Sequence, residues 1–253
     1  MNTATTKLLR NNRCLFLAYD QGFEHGPTDF DDKSVDPAYI LSIANDSAAY
    51  TGIIFHEGIA QSYYDKAKET VPLIVKLNGK TSLHPDEEPY SPQLCSVDEA
   101  VRLGATAIGY TIYIGSSYEG KMMEEFSRIE DEAHTKNLSV ILWAYPRGKN
   151  VIGKEQDKDV VAYGARIALE MGADFVKVPY TGSIENVQWI VRSAGTTHVI
   201  VQGGAKVDEQ AILEEATICK KAGVTGMAIG RNIWQSPDPI AISKKLAAII
   251  YED

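Results

Sequence analysis

Short apolar runs alternate along the chain with longer stretches in which apolar residues return every three or four positions. Eight runs are rich in β-branched and aromatic residues: 14–20, 52–57, 73–77, 107–113, 139–145, 175–180, 198–203 and 226–231. Runs of that length and composition predict strands. Helical spacing covers 37–50, 61–68, 97–103, 117–136, 158–171, 184–194, 209–222 and 239–251. Strictly alternating strands and helices indicate a parallel sheet with crossover helices, and eight repeats predict a closed (β/α)8 TIM barrel. Three predicted helices end in the same manner, at Leu103-Gly104-Ala105, Met171-Gly172-Ala173 and Ala222-Gly223-Val224. A glycine just past the last helical residue takes positive φ and turns the chain toward the next strand. No linker rich in Pro, Gly or Ser interrupts the pattern, so one domain over residues 1–253 is expected.

Active sites of this fold lie at the carboxyl ends of the strands, which is where chemistry is to be sought. Strand six holds Asp174-Phe175-Val176-Lys177-Val178-Pro179-Tyr180, a lysine between valines. Burying an ammonium disfavours its charged form, so Lys177 is either an amine made nucleophilic by a lowered pKa or a strand-end lysine that reaches solvent or a carboxylate. On strand five, alternation puts Trp143 and Tyr145 on one face, and the same parity aligns Phe175, Lys177 and Pro179 next door. If that face is interior, Tyr145 stands beside Lys177 as an acid/base partner for carbonyl chemistry, with the Trp143 indole one layer below; otherwise both aromatics are core.

Strand one ends in Tyr19-Asp20-Gln21-Gly22-Phe23-Glu24-His25-Gly26-Pro27. Asp20 is placed to orient substrate hydroxyls or a nearby ammonium, or else caps the loop, while His25 contacts substrate or pairs on the loop surface. Strands seven and eight end in Gln202-Gly203-Gly204-Ala205-Lys206 and Gly230-Arg231-Asn232. Loops at these positions often bind phosphate through backbone N–H groups and a short helix, with Arg231 adding a bidentate cation; the rival reading is tight-turn geometry and a surface ion pair. Lys76 and Lys80 lie at and just beyond the end of strand three, Lys76 as a phosphate ligand or a second cation beside Lys177, and both rank behind Lys177 as nucleophile.

Net charge changes the picture by exclusion. At −9, with a pI near 5.1, the chain is a poor general nucleic-acid or membrane surface, although a small anion held locally remains compatible. Cys14, Cys95 and Cys219 are scattered without disulfide or zinc spacing, which points to a reducing cytoplasm. The five histidines show no HxxxH or HExxH pattern. His134 reads as a solvated residue of a charged helix, and the pair His56-Glu57 at the end of strand two as hydrogen-bonded structural residues or else a source of one metal ligand.

Taken together, Asp20 to Pro27, Val75 to Ser82, Tyr110 to Ser116, Trp143-Ala144-Tyr145-Pro146-Arg147-Gly148, Gly172 to Lys177 and Ala228 to Gln235 resemble the archaeal-type, or DhnA-type, class I fructose-bisphosphate aldolases, in order and over almost the whole chain. The resemblance implies a Schiff base on Lys177, Tyr145 as general acid/base, and Asp20 and Trp143 shaping the site. It implies reversible cleavage of fructose 1,6-bisphosphate, with no metal or other cofactor and with sugar phosphates as ligands. Gly203, Gly204, Ala205, Gly230, Arg231 and Lys76 are then the phosphate-side residues, with His25 and Arg147 candidates for the distal phosphate. A related branch acts on other keto-phosphates, as the aminodeoxyheptulosonate synthases do, and a non-catalytic phosphosugar-binding barrel is a further alternative. The family's members form homo-oligomers, and the apolar Ile240 to Tyr251 helix could supply an interface.

Overall fold

The computed structural model describes residues 3–252. Its strands are β1 (Cys14–Ala18), β2 (Gly52–His56), β3 (Leu73–Lys76), β4 (Ala107–Ile114), β5 (Ser139–Pro146), β6 (Phe175–Val178), β7 (His198–Gln202) and β8 (Gly226–Ile229). They close in sequence order into a parallel barrel, β8 pairing with β1 through Phe16 opposite Ala228. All eight predicted runs are strands, shortened or lengthened by one or two residues at their carboxyl ends.

Alternation along each strand separates two cores. Outward residues such as Leu15, Ile53, Val75, Ile108, Leu142, Val176 and Val201 pack beneath the helices. Inward residues fill the barrel, with Phe16, Ile54, Ile74, Ile141, Phe175 and Ile200 forming a middle layer. The helix Thr3–Lys7 and the fully buried Leu8 plug the amino-terminal end. Apolar closure from below leaves the carboxyl end as the barrel's open mouth.

Side-chain caps start the crossover helices: Ser96 accepts from Glu99 N, Asp157 from Asp159 N, Ser183 from Asn186 N and Asp208 from Ala211 N. Each such cap stabilises its helix by about 1 kcal/mol. Gly104 and Gly223 are the left-handed residues that end two of these helices, as the sequence predicts.

Three local expectations change. The helix expected over 61–68 instead occupies Glu57–Tyr63, starting directly from β2. The charged stretch after it has no apolar face to bury and folds as a turn, in which Asp65 accepts from Ala67 N. Arg231, expected at the end of a strand, is the first residue of a short helix, Arg231–Trp234. The apolar face of Pro239–Tyr251 is covered within the chain: it buries Ile242, Leu246 and Ile250, while Tyr50 Oη meets Ser243 Oγ at 2.6 Å and Tyr251 Oη donates to Ala49 O at 3.0 Å. No helix among the described residues is long and apolar enough to cross a membrane.

Candidate active site

The inward parity that puts Phe175 in the core also points Lys177 into the barrel, one layer higher. Its register partner on β5 is Trp143, and the Lys177 Nζ lies 5.0 Å from the centre of that indole. Lys76 reaches the same ring from β3, with its Nζ 5.4 Å away. One indole thus lies within cation–π reach of two amines. The indole fits there because β4 carries glycine at position 109: a Cβ on Gly109 would lie 2.1 Å from Trp143 Cζ3. Trp143 Nε1 is buried without a hydrogen-bond partner.

Burial lowers the pKa of both lysines, so the direction of the shift does not separate them. Burial lowers the pKa of Lys177, and the nearby Asp20 carboxylate offsets part of that effect. Lys76 falls to about 8, first through burial and then through the repulsion of Lys177 and Arg147, against the attraction of Asp20 and Glu24. Hydrogen bonding separates them. Lys76 Nζ donates to Asn78 O at 3.0 Å. The Asn78 side chain is itself fixed, donating to Ser91 O and Thr111 O at 2.8 and 2.9 Å and accepting from Thr111 N at 2.8 Å. Lys177 Nζ has no hydrogen bond and faces the cavity. Lys80 sits at the rim, donating to Thr81 O.

Asp20 is the counter-charge to both amines. Burial alone would raise its pKa, yet Lys177, Lys76 and His56 together hold it below the ordinary carboxylate value. His56 is pushed down to about 4, by burial and then by Lys76, and is neutral near pH 7. Its Nε2 lies 3.0 Å from Asp20 O and donates there, fixing the start of the loop after β1. His56 thus makes a hydrogen bond of the kind expected of it, and it also lines the cavity.

Tyr145 stands one layer above Trp143, beside its register partner Tyr113. Burial raises its pKa well above the usual phenol value; Asp20 and Glu24 push the same way, and Arg147 opposes them. Its hydroxyl reaches the cavity unbonded, on the same side as Lys177. Arg147 pairs with Glu24, and His25 pairs with Asp29. Both residues expected at the distal phosphate therefore already hold carboxylate partners.

Across the mouth, Gly203, Gly204, Ala205, Gly230 and Arg231 line the cavity of about 240 Å³. The two loops are tied by Asn232, which donates to Gly203 O and Ala205 O at 2.7 and 3.0 Å and accepts from Val207 N at 2.8 Å. Gly230 is required by a close approach, since a Cβ there would lie 2.7 Å from Ala18 O. Arg231 donates to Gly204 O at 3.1 Å and lies 3.4 Å from Asp29, so His25 and Arg231 converge on one carboxylate from loops on adjacent strands.

Sequence reading misses Asn78 and Asn232. An asparagine just after a strand or opening a helical turn reads as loop chemistry, and only the fold shows these two joining neighbouring loops. Among the described residues, no group of three or more His, Cys, Asp or Glu is placed to hold a metal ion.

The arrangement suits an amine that attacks a carbonyl, with a phenol for proton transfer and two backbone-rich loops for an anion. Comparison with known proteins agrees in kind. The family model described as DeoC/LacD family aldolase matches residues 14–236. A Thermoproteus tenax protein named class 1 fructose-bisphosphate aldolase is 46% identical over 99% of this chain and 96% of its own length. A Halobacterium salinarum protein of the same name is 39% identical, over 96% and 92% of the two chains. The structure of an archaeal fructose-1,6-bisphosphate aldolase, its catalytic lysine bound covalently to the carbinolamine intermediate of the substrate, superposes with a TM-score of 0.93 at 45% identity, covering 98% of this chain and all of that one, 100%.

Proposed function

Since this chain belongs to the DeoC/LacD family of aldolases, we propose that it is a class I aldolase that reversibly cleaves fructose 1,6-bisphosphate to dihydroxyacetone phosphate and glyceraldehyde 3-phosphate. The observation that carries this reading is the Lys177 amine: buried, free of hydrogen bonds, and sharing one cavity with Tyr145 and the two glycine loops. At its ordinary pKa near ~10.4, a lysine is neutral in only about one molecule in 2,500 at pH 7, so the lowering by burial raises the fraction able to attack.

Lys177 adds to the C2 ketone of the open-chain sugar to give a carbinolamine, and the Tyr145 phenol protonates its hydroxyl so that water leaves, forming an iminium and a tyrosinate. Tyr145 takes the proton of the C4 hydroxyl as the C3–C4 bond breaks, and the electron pair of that bond flows into the iminium to leave an enamine. Glyceraldehyde 3-phosphate departs, the enamine is protonated at C3, and water releases dihydroxyacetone phosphate and the free amine. Asp20 balances the charge as Lys177 becomes a cationic iminium, a role supported by its position as the carboxylate felt by both lysines. Trp143 gives the iminium an aromatic face. Lys76, tethered to Asn78, stays a fixed cation in the same cavity as Gly203, Gly204, Ala205, Gly230 and Arg231, which hold the ketone-side phosphate. Fixing that phosphate aims the carbonyl at Lys177.

Borohydride reduction in the presence of dihydroxyacetone phosphate, followed by peptide mass spectrometry, tests the assignment. A reduced adduct on Lys177 is expected. An adduct on Lys76 or Lys80 would reassign the nucleophile, and no adduct during turnover would remove the Schiff-base mechanism.

A cytoplasmic setting and a homo-oligomeric state belong to the same proposal. Three unpaired buried cysteines support the first, and the exposed aromatics Tyr163 and Trp189 on neighbouring helices support the second. Sedimentation at micromolar concentration checks the assembly.

A further inference from the structure

Two buried amines, Lys76 and Lys177, lie near one indole in the cavity, and the way β3 ends sets them apart. β3 pairs with β4 as far as Lys76 opposite Gly109, and Leu77 N still donates to Gly109 O at 2.8 Å. There the backbone leaves β4. It turns to the segment at 91–95, where Leu77 O accepts from Leu94 N and Cys95 N at 2.7 and 3.0 Å and Asn78 bridges to Gln93. A ladder that continued in register would set Asn78 opposite Thr111. The Asn78 side chain takes that place: Oδ1 accepts from Thr111 N at 2.8 Å, and Nδ2 donates to Thr111 O and Ser91 O at 2.9 and 2.8 Å. A primary amide offers the acceptor and the donors of a peptide edge, which a carboxylate or an aliphatic side chain does not.

Asn78 is fully buried, so each of these bonds satisfies a group that water does not reach. Pinning the side chain also fixes the residue's own carbonyl, which accepts from Lys76 Nζ at 3.0 Å. Strand order makes the choice of amine matter. Lys177 stands on β6, next to the strand that carries Tyr145, whereas Lys76 on β3 is separated from that strand by β4.

Building on the aldolase reading above, we infer that Asn78 is a positioning residue that selects the nucleophile: by replacing the missing ladder bonds to Thr111 it sets the carbonyl that holds Lys76, and so keeps the cavity's second amine out of imine chemistry. Released from that carbonyl, Lys76 is a competent nucleophile. Its neutral amine adds to the ketone carbon of dihydroxyacetone phosphate, and the oxygen leaves as water with both amine protons. Borohydride then delivers hydride to carbon and solvent protonates nitrogen, which leaves a secondary amine.

The test locates the borohydride adduct of dihydroxyacetone phosphate by peptide mass spectrometry in the wild type, in Lys177→Met, and in Lys177→Met combined with Asn78→Ala or Asn78→Asp. The wild type carries the adduct on Lys177, and Lys177→Met carries none. Adding Asn78→Ala raises labelling of Lys76 by about ten-fold or more over Lys177→Met, the factor that goes with one buried hydrogen bond. A loss of packing lowers labelling and does not create it at a new residue. Each sample is run at neutral pH and again in alkali, because Lys76 lies at about 8 through burial and the charges of Asp20, Lys177, Glu24 and Arg147. Labelling of Lys76 in alkaline Lys177→Met to the level of the Asn78→Ala combination would show that charge alone silences it, and overturns the inference. A folded Asn78→Ala combination that stays unlabelled overturns it too, as does equal labelling of Lys80 and surface lysines. If circular dichroism shows that Asn78→Ala does not fold, Asn78→Asp decides, since it keeps the acceptor for Thr111 N and loses both donated bonds. A wild type without any adduct removes the Schiff-base reading and this inference with it, whereas a wild-type adduct on Lys177 with no gain at Lys76 overturns this inference alone.

Discussion

At the amino-terminal end of the barrel, Asp174 Oδ2 accepts from Ser139 Oγ and Val140 N at 3.1 and 2.9 Å and lies 3.0 Å from His134 Nε2. His134 Nδ1 meets Glu130 at 2.8 Å, and Ser139 Oγ also meets Thr5 Oγ1 at 3.1 Å. At the carboxyl end, Lys177 Nζ and the Tyr145 hydroxyl face the cavity without partners, and Trp143 Nε1 is buried without one. Both ends set polar groups into the same barrel. The lower end satisfies them, and each bond offsets the desolvation of the groups that make it. The upper end leaves them open, a state that costs stability and that suits groups awaiting a ligand's atoms. A closed network thus marks a structural region, and an open set of convergent groups marks a reactive one.

The sharpest way to break this contrast is Lys177→Met. Cleavage is expected to fall to below about a ten-thousandth of the wild-type rate and borohydride trapping to vanish, while the urea midpoint holds or rises, because a buried amine has been replaced by a thioether. A protein that still traps substrate would show that the open lysine is not the reactive one. Next comes Tyr145→Phe, expected to keep the adduct and lose about 10²- to 10⁴-fold in cleavage, read by comparing trapping with steady-state rates.

Asp174→Ala probes the closed end. It strands the donors of Ser139, Val140 and His134, and a loss of about 2–3 kcal/mol in urea unfolding is expected, with the specific activity of the folded fraction unchanged. A fall in specific activity with unchanged stability would dissolve the distinction between the two ends.

The smallest effect comes from Glu215, on helix Glu209–Ala222, whose buried Oε1 also lacks a partner although it lies outside the cavity. Burial raises its pKa to about 7 from the ordinary carboxyl value of 4.5. A folded-state value above the unfolded one means that its stabilising contribution is fully present below about 4.5 and is lost as pH rises through about 7. Glu215→Gln is therefore expected to match the wild type in Tm near pH 4 and to exceed it by about 2–4 °C at pH 8, with cleavage unaltered. A loss of cleavage would place Glu215 in the machinery after all.

Much of this was legible along the chain. All eight strands could be read, because runs of β-branched and aromatic residues between glycine-marked turns have few other uses. The parity of Trp143, Tyr145 and Lys177 followed from the period of the strand. The helix after β2 began earlier and stopped sooner than its pattern suggested, and the charged 65–68 stretch that had looked helical has no apolar face to pack. His134 read as a solvated residue of a charged helix; its partner Asp174 lies 40 positions away, beyond the reach of any local pattern. Arg147 has the chemistry of a phosphate ligand, but its pairing with Glu24, 123 residues away in sequence, was visible only in the fold.

By itself, the sequence determined which residues lie on strands, which strand faces share a parity, and which side chains are chemically able to act. Those properties depend on steric and hydrophobic periods a few residues long. Only the tertiary structure decided which amine stays free, since Lys76 and Lys177 are alike in type and burial and differ in that Asn78 O holds one of them. The space for Trp143 over Gly109 and the placement of Arg147 beside Tyr145 were decided there as well. Each depends on a contact between strands or loops that are separate in sequence, and barrel closure sets that contact.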